Sequence, residues 1–573
     1  MNPEVFNSNS ALPSIDRFLI SNLTSPKIIK SVLFISIVSF FMLSCSNEKS
    51  SGNNQVVYLT PEILCGTVQF TDGCSPQLDT LISFGLALIH HMTFENAEYT
   101  FNKVIEIDPD CFWGHWGKAM TYIHPLWPDV PSEDEMTRGW IHAQTALNLA
   151  STIKEKLYGT ALASYYEKGK EKTEYERLTA YKKAWRQANE QLPEDIEARL
   201  FHVLTRLATV SPGDKSYSVQ REAGAIAEKV LEEIPDHPGG YHYAIHAYDF
   251  PPLAMDALRV ARGYSAIAPE IPHALHMPTH IFTRLGKWDE SIKLNLRSAA
   301  AAWKFPINGR ISAQYFHAID YLVYAYLQKS EYDEVKEITA GIDALGGTFQ
   351  THSATAYALA AIKGRLALEY QEWTDAANLL LNYQSKFPWE KYPQYEALVY
   401  FARGIGGGRS GNSEIAKLSF EKLEALQNIL GDSKASQYWI GQIEIQKTVV
   451  KAWQMYAEKD MEKAKEIMFL AAELEDATEK NPVTPGQLLP VREMLGDLLL
   501  EMGLPQDALE QYRLTLKNNP NRFNSIYGCG IAAEKLGETK TAKEYFISLL
   551  ELNGSSDLTR DRLVYASNVV NGI

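Results

Sequence analysis

The chain has 573 residues, with 55 Lys or Arg against 70 Asp or Glu, a formal net charge of −15 and no basic run. A protein that follows a nucleic-acid backbone needs a concentrated positive face, so this balance argues against nucleic acid as a partner. With 45% hydrophobic residues, the length suits several domains or one extended array.

The N-terminal stretch differs from everything after it. Lys27 and Lys30 precede an uncharged run, residues 31–44, which is too short to span a bilayer comfortably. It reads as the apolar region of a secretory signal and ends at Met42-Leu43-Ser44-Cys45. That tetrapeptide resembles the box cleaved before a diacylglyceryl-modified cysteine. The resemblance implies a lipoprotein signal over residues 1–45, Cys45 as the lipid-modified mature N-terminus, and an anchor in the bacterial cell envelope. Ser46 in place of Asp leans, by the same resemblance, toward the outer membrane. Residues 46–55 (SNEKSSGNNQ) have the small polar composition of a flexible tether. An N-terminal extension over 56–75 then leads into the folded body at 76–570.

Beyond Cys45 the cysteines are Cys65, Cys74, Cys111 and Cys529. Export would put them where disulfides form, and Cys65 with Cys74 or Cys74 with Cys111 are the candidate bridges. Cys529, in an apolar helix start, reads as a packed thiol. None has the CxxC spacing of a zinc or redox site.

A fixed period organises the body. Gly85, Ala97, Phe101 and Pro109 recur at the same offsets as Gly496, Ala508, Tyr512 and Pro520, and Gly530, Ala542 and Phe546 follow 34 residues later. Gly404, Ala416 and Phe420 form a fourth, more irregular copy. Small residues let two helices approach, the aromatic fills the space between them, and proline cannot continue the second helix. The pattern resembles the tetratricopeptide repeat. That resemblance implies an all-α fold, a right-handed superhelix of roughly ten to twelve helix pairs whose first helices line a concave groove. Residues 111–127 (CFWGHWGKAMTYIHPLW), 241–247 (YHYAIHA), 276–286 (HMPTHIFTRLG) and 485–530 also resemble a group of bacterial tetratricopeptide proteins. This likeness marks segments and supplies no reaction. Residues 403–412 (RGIGGGRSGN) lack the ending of a phosphate loop and read as a turn between helices.

The histidines carry the chemical signal. His242 and His246 stand one helical turn apart, His276 and His280 repeat that spacing, and the two pairs are one 34-residue period apart. Equivalent positions in adjacent repeats are neighbours, so the four imidazoles are expected to close on one divalent transition metal, Zn, Cu, Fe or Ni. His273, His317 and Asp320 are expected to complete or orient the site. His90 and His124, also 34 apart, and Arg284 would line the same groove, with Arg284 holding an anionic substrate if the site is catalytic. His142, His202, His237 and His352 read as packed structural groups. Pro278 either kinks the second histidine helix or begins it, and in the second case His273 and His276 fall in the preceding loop. No catalytic nucleophile is evident. A second reading makes the groove a non-catalytic scaffold that binds a peptide or a partner's helix. A third uses His and Asp as acid and base without metal.

Overall fold

The computed structural model describes residues 58–70, 74–127, 129–211, 214–380, 387–431, 437–478, 486–554 and 560–572. The expected signal segment, Cys45 and the tether lie outside these residues. Among the described residues the regular structure is helical, and extended pairing is limited to the isolated bridges Ile307–Arg310 and Ile311–Phe349. No described helix is long and apolar enough to cross a membrane.

Helix starts follow local chemistry. Pro76, Pro238, Pro272, Pro393 and Pro505 open helices at positions where the missing N–H costs nothing. Ser132, Thr152 and Thr173 begin three successive helices with reciprocal capping boxes to Glu135, Glu155 and Glu176. Consecutive helices pack on each other along the chain, which makes the body an all-α solenoid of helix pairs.

The repeat glycines set the spacing between these helices. A Cβ on Gly85 would lie 2.7 Å from the Phe101 ring, and one on Gly117, in the following helix, 2.1 Å from the same ring. Tyr512 is held in the same way between Gly496, at 2.8 Å, and Gly528, at 2.4 Å. Each ring of the second helix thus presses into backbone on both sides, a fit open only to residues without a side chain.

The glycine-rich stretch expected as a turn is instead helical, inside Pro393–Arg409. The cause is crowding: a Cβ on Gly406 would meet the Ala377 backbone at 2.3 Å, and one on Gly408 would meet Trp453 at 2.5 Å. The turn follows at Ser410 and Gly411.

Segments distant in sequence close the superhelix on itself. Arg522, fully buried, donates to both oxygens of Glu493 at 2.7 Å and to Tyr324 at 3.1 Å, and pairs with Glu369 at 2.8 Å. Trp288 Nε1–H donates to the Asn521 carbonyl at 2.8 Å. At the other end, the extension crosses back to residue 236, where the Thr67 N–H meets the Asp236 carbonyl at 3.1 Å. Of the two candidate bridges the structure holds Cys74–Cys111, with Cα atoms 5.4 Å apart. Cys65 and Cys529 are free thiols, and burial pushes Cys529 up to about 12.

Two glycine substitutions separate these effects. Gly117→Ala forces a methyl into the Phe101 ring and is expected to cost about 1–3 kcal/mol. Gly441→Ala, within the helix Gln437–Ala457 and with nothing within 4 Å of the added Cβ, is expected to gain roughly 0.5–1 kcal/mol. Denaturant melts of the two variants beside the parent check both signs.

Candidate functional site

Three successive repeats supply the histidines. The helix Pro238–Tyr248 carries His242 and His246, and it approaches the helix Pro76–His90 closely because Gly239 leaves room: a Cβ there would lie 2.6 Å from His90 Nδ1. The next repeat is broken at Met277 into two short helices, Pro272–His276 and Pro278–Arg284. Pro278 therefore begins a helix, as one alternative held, yet His273 and His276 sit in a short helix of their own and not in a loop. Met277 keeps right-handed helical angles across the break, so His276 and His280 remain on one face. The helix Ala313–Gln328 brings His317 and Tyr321 against them.

The four expected ligands do not converge on one point. They fall into two groups of three whose nitrogens lie within 4.8 Å of one another: His242, His246 and His273, and His276, His280 and His317. His273 and His317, expected as supporting residues, complete the two triads. Five of the six rings are at most 4% exposed, and only His246 is partly open. The expected lined groove is at this level a packed interior, because side chains from three repeats and Trp127 fill it. The Trp127 ring lies 5.5 Å from His273 and 5.7 Å from His317 between centroids.

Hydrogen bonds assign the protons. His242 Nδ1–H donates to the carbonyl oxygen of His90 at 2.5 Å, so in the neutral ring Nε2 is bare, and it faces His246 Nε2 at 3.0 Å. His276 Nδ1–H donates to Asn295 Oδ1 at 2.8 Å, and His280 Nδ1–H to the Asp249 carboxylate at 2.9 Å. Their Nε2 atoms, unprotonated in the neutral rings for the same reason, face each other at 3.0 Å. Two facing lone pairs repel unless a proton or another cation lies between them. Two metal–imidazole bonds of about 2.0–2.1 Å meeting near a right angle span about 3 Å, so the separation suits a shared ion. His273 adds an orphan: Nδ1 bonds Gln314 Oε1 at 3.1 Å, while its buried Nε2 has no hydrogen-bond partner.

Burial holds His242, His273 and His317 well below the usual imidazole range, and neighbouring imidazoles lower them further. These three rings are therefore neutral and able to ligate at pH 7. The nearby charge is a buried pair: Asp249 accepts from His280 through Oδ2 and from Arg284 Nε through Oδ1, both at 2.9 Å.

Other expected site residues lie elsewhere. Arg284 is engaged by Asp249 through its carboxylate and its carbonyl, so its expected role of holding a substrate is replaced by a structural one. Asp320 faces Arg365 at 3.6 Å and is in neither triad. His124 stacks on Phe94 at 4.0 Å and contacts the Thr121 carbonyl. His90 joins Glu197 at 2.6 Å and His237, a residue read as structural, in a third buried group. There every bond is complete: the Tyr243 hydroxyl meets His90 Nδ1 at 2.9 Å, and the Gly239 N–H donates to His237 Nδ1 at 3.2 Å. Asp249 escaped the sequence reading, although it follows His246 by three residues, close to one helical turn, where a carboxylate can join a histidine face.

No protein-family model matches the chain, and no curated protein matches it. Among solved structures, a human IFIT1 dimer with m7Gppp-AAAA is 14% identical over 74% of this chain and 88% of that one, with a TM-score of 0.37. The APC/C hetero-tetramer Cut9–Hcn1 is 13% identical over 86% and 96%, with a TM-score of 0.28. The P58(IPK) TPR domain is 11% identical over 87% and 99%, with a TM-score of 0.21. These scores carry nothing of those proteins' binding to this chain; the helix-pair solenoid rests on its own packing.

The buried neutral rings make stability depend on pH. His91, hydrogen-bonded to Tyr264 and the Cys65 carbonyl, is lowered by burial to about 3, and His242, His273 and His317 are lowered in the same direction. Below the unfolded value near 6.5 the unfolded chain takes up protons that the folded chain refuses, so stability falls as pH falls. The melting temperature of chelator-treated protein is expected to drop between pH 7 and pH 5. A flat profile would show that the rings take up protons while folded.

Proposed function

We propose that this chain is a metal-binding helical-repeat protein whose interior imidazoles hold a divalent transition metal. The observation that carries this reading is the convergence of two largely buried groups of three imidazoles, each with its nitrogens within 4.8 Å of one another, beside the buried His273 Nε2 that has no hydrogen-bond partner. Neutral imidazole donors suit Zn, Cu, Fe or Ni. A metal held by three protein nitrogens keeps an open position where it can act as a Lewis acid and activate water. Asp249 fixes the His280 proton on Nδ1 and turns Nε2 inward, Arg284 fixes Asp249, and Trp127 keeps bulk water from His273 and His317. His246, the partly open ring, marks the side of entry.

The Cys74–Cys111 bridge and the lipobox-like Met42–Cys45 support an exported location with a lipid anchor at Cys45, in the bacterial envelope and by resemblance its outer membrane. A second reading, a scaffold for a peptide or partner helix, has its own support. A cleft lined by Tyr357, Leu398, Phe401, Tyr438 and Trp439 lies on residues separate from the histidines.

Elemental analysis of the full-length protein in detergent tests the metal reading. At least one equivalent of transition metal is expected in the parent, and a reduced content in the double variant His276→Ala, His280→Ala with its helical circular dichroism retained. A parent that stays metal-free after reconstitution with each of the four metals overturns the reading.

A further inference from the structure

Resting on that metal-binding reading, we propose that the cluster holds two metal ions, one per triad, and that the triad backed by Asp249 fills first. The six imidazoles gather around two points, as two sets of three whose nitrogens lie within 4.8 Å of one another. Between the triads His246 and His280 have ring centroids 6.3 Å apart, His273 and His276 6.2 Å, and His273 and His317 6.4 Å, whereas within them the separations run from 4.1 Å for His276 and His317 to 5.8 Å for His280 and His317. Each triad also contains its own facing Nε2 pair at 3.0 Å.

The groups behind the rings distinguish the positions. In the triad of His242, His246 and His273, the Nδ1 protons of His242 and His273 go to neutral acceptors, the His90 carbonyl and the Gln314 amide. In the triad of His276, His280 and His317, the His280 proton goes to the Asp249 carboxylate. A carboxylate behind an imidazole raises its donor strength, and loss of such a partner typically costs about 10–100-fold in metal affinity. Asp249 is a positioning residue acting through His280, itself held by Arg284 at 2.9 Å.

Calorimetric titration of chelator-treated full-length protein with Zn²⁺ is the test. Two steps of one equivalent each are expected, the first about 10–100-fold tighter. His317→Ala should abolish the tight step and keep the weak one, and His273→Ala should do the reverse. Asp249→Asn should weaken the tight step by about 10–100-fold and leave the weak step unchanged, a selectivity that general loosening of the fold would not produce. Should a histidine variant lose its helical circular dichroism, the titrations of the parent and Asp249→Asn still decide. A single equivalent in the parent overturns the two-ion inference and leaves the metal reading standing. Two equal steps, or an Asp249→Asn titration like the parent's, overturn the ranking. No binding of Zn²⁺, Cu²⁺, Fe²⁺ or Ni²⁺ by the parent overturns the metal reading itself.

Discussion

An aromatic ring pressed between two glycine backbones sets the distance between helices. Phe101 between Gly85 and Gly117, and Tyr512 between Gly496 and Gly528, leave no room for a methyl group on either side. Gly224 against Tyr248 and Gly239 against His90 extend this close approach to the repeats around the histidines. Tight spacing turns equivalent positions one period apart into touching neighbours. Side chains copied along the sequence consequently become a cluster in space, and the imidazoles of three repeats meet where wider spacing would have left them separate.

Burial then decides what such a cluster can be. A polar group taken out of water needs a partner, or it costs free energy comparable to a lost hydrogen bond. His90, Glu197, His237 and Tyr243 meet that demand among themselves and need no ligand. In the triads the buried His273 Nε2 is left without a partner. Their outer nitrogens are satisfied by a carbonyl, two side-chain amides and a carboxylate, while inner nitrogens are turned toward one another. Outer nitrogens anchored and inner ones converging is the arrangement that oriented metal ligands require.

The closure of the superhelix supports this region at a distance. Arg522 between Glu493 and Glu369, and Trp288 on the Asn521 carbonyl, tie the C-terminal repeats to the helices that follow the histidines. A buried pair of this kind adds little net stability, but removing one partner leaves a buried charge without compensation. Ligands carried on helices held from both sides keep their geometry better than ligands on loops.

The amino-acid sequence by itself determined the repeat, the all-α class, and the two His pairs spaced by one turn and one period. These are properties of order along the chain, and helix geometry converts order directly into a shared face. Which nitrogen faces which, and therefore how the ligands group, only the tertiary structure decided. His273 and His317 became triad members, Asp320 went to Arg365, Arg284 went to Asp249, and Cys74 paired with Cys111 and not with Cys65. The same holds for the glycines at 404–408, which lie in a helix where Val450, Ala377, Ile415 and Trp453 occupy the space side chains would need. Ring orientation and hydrogen-bond choice depend on groups brought in from other repeats, among them the His90 carbonyl 152 residues before His242, and no local pattern in the sequence encodes that encounter.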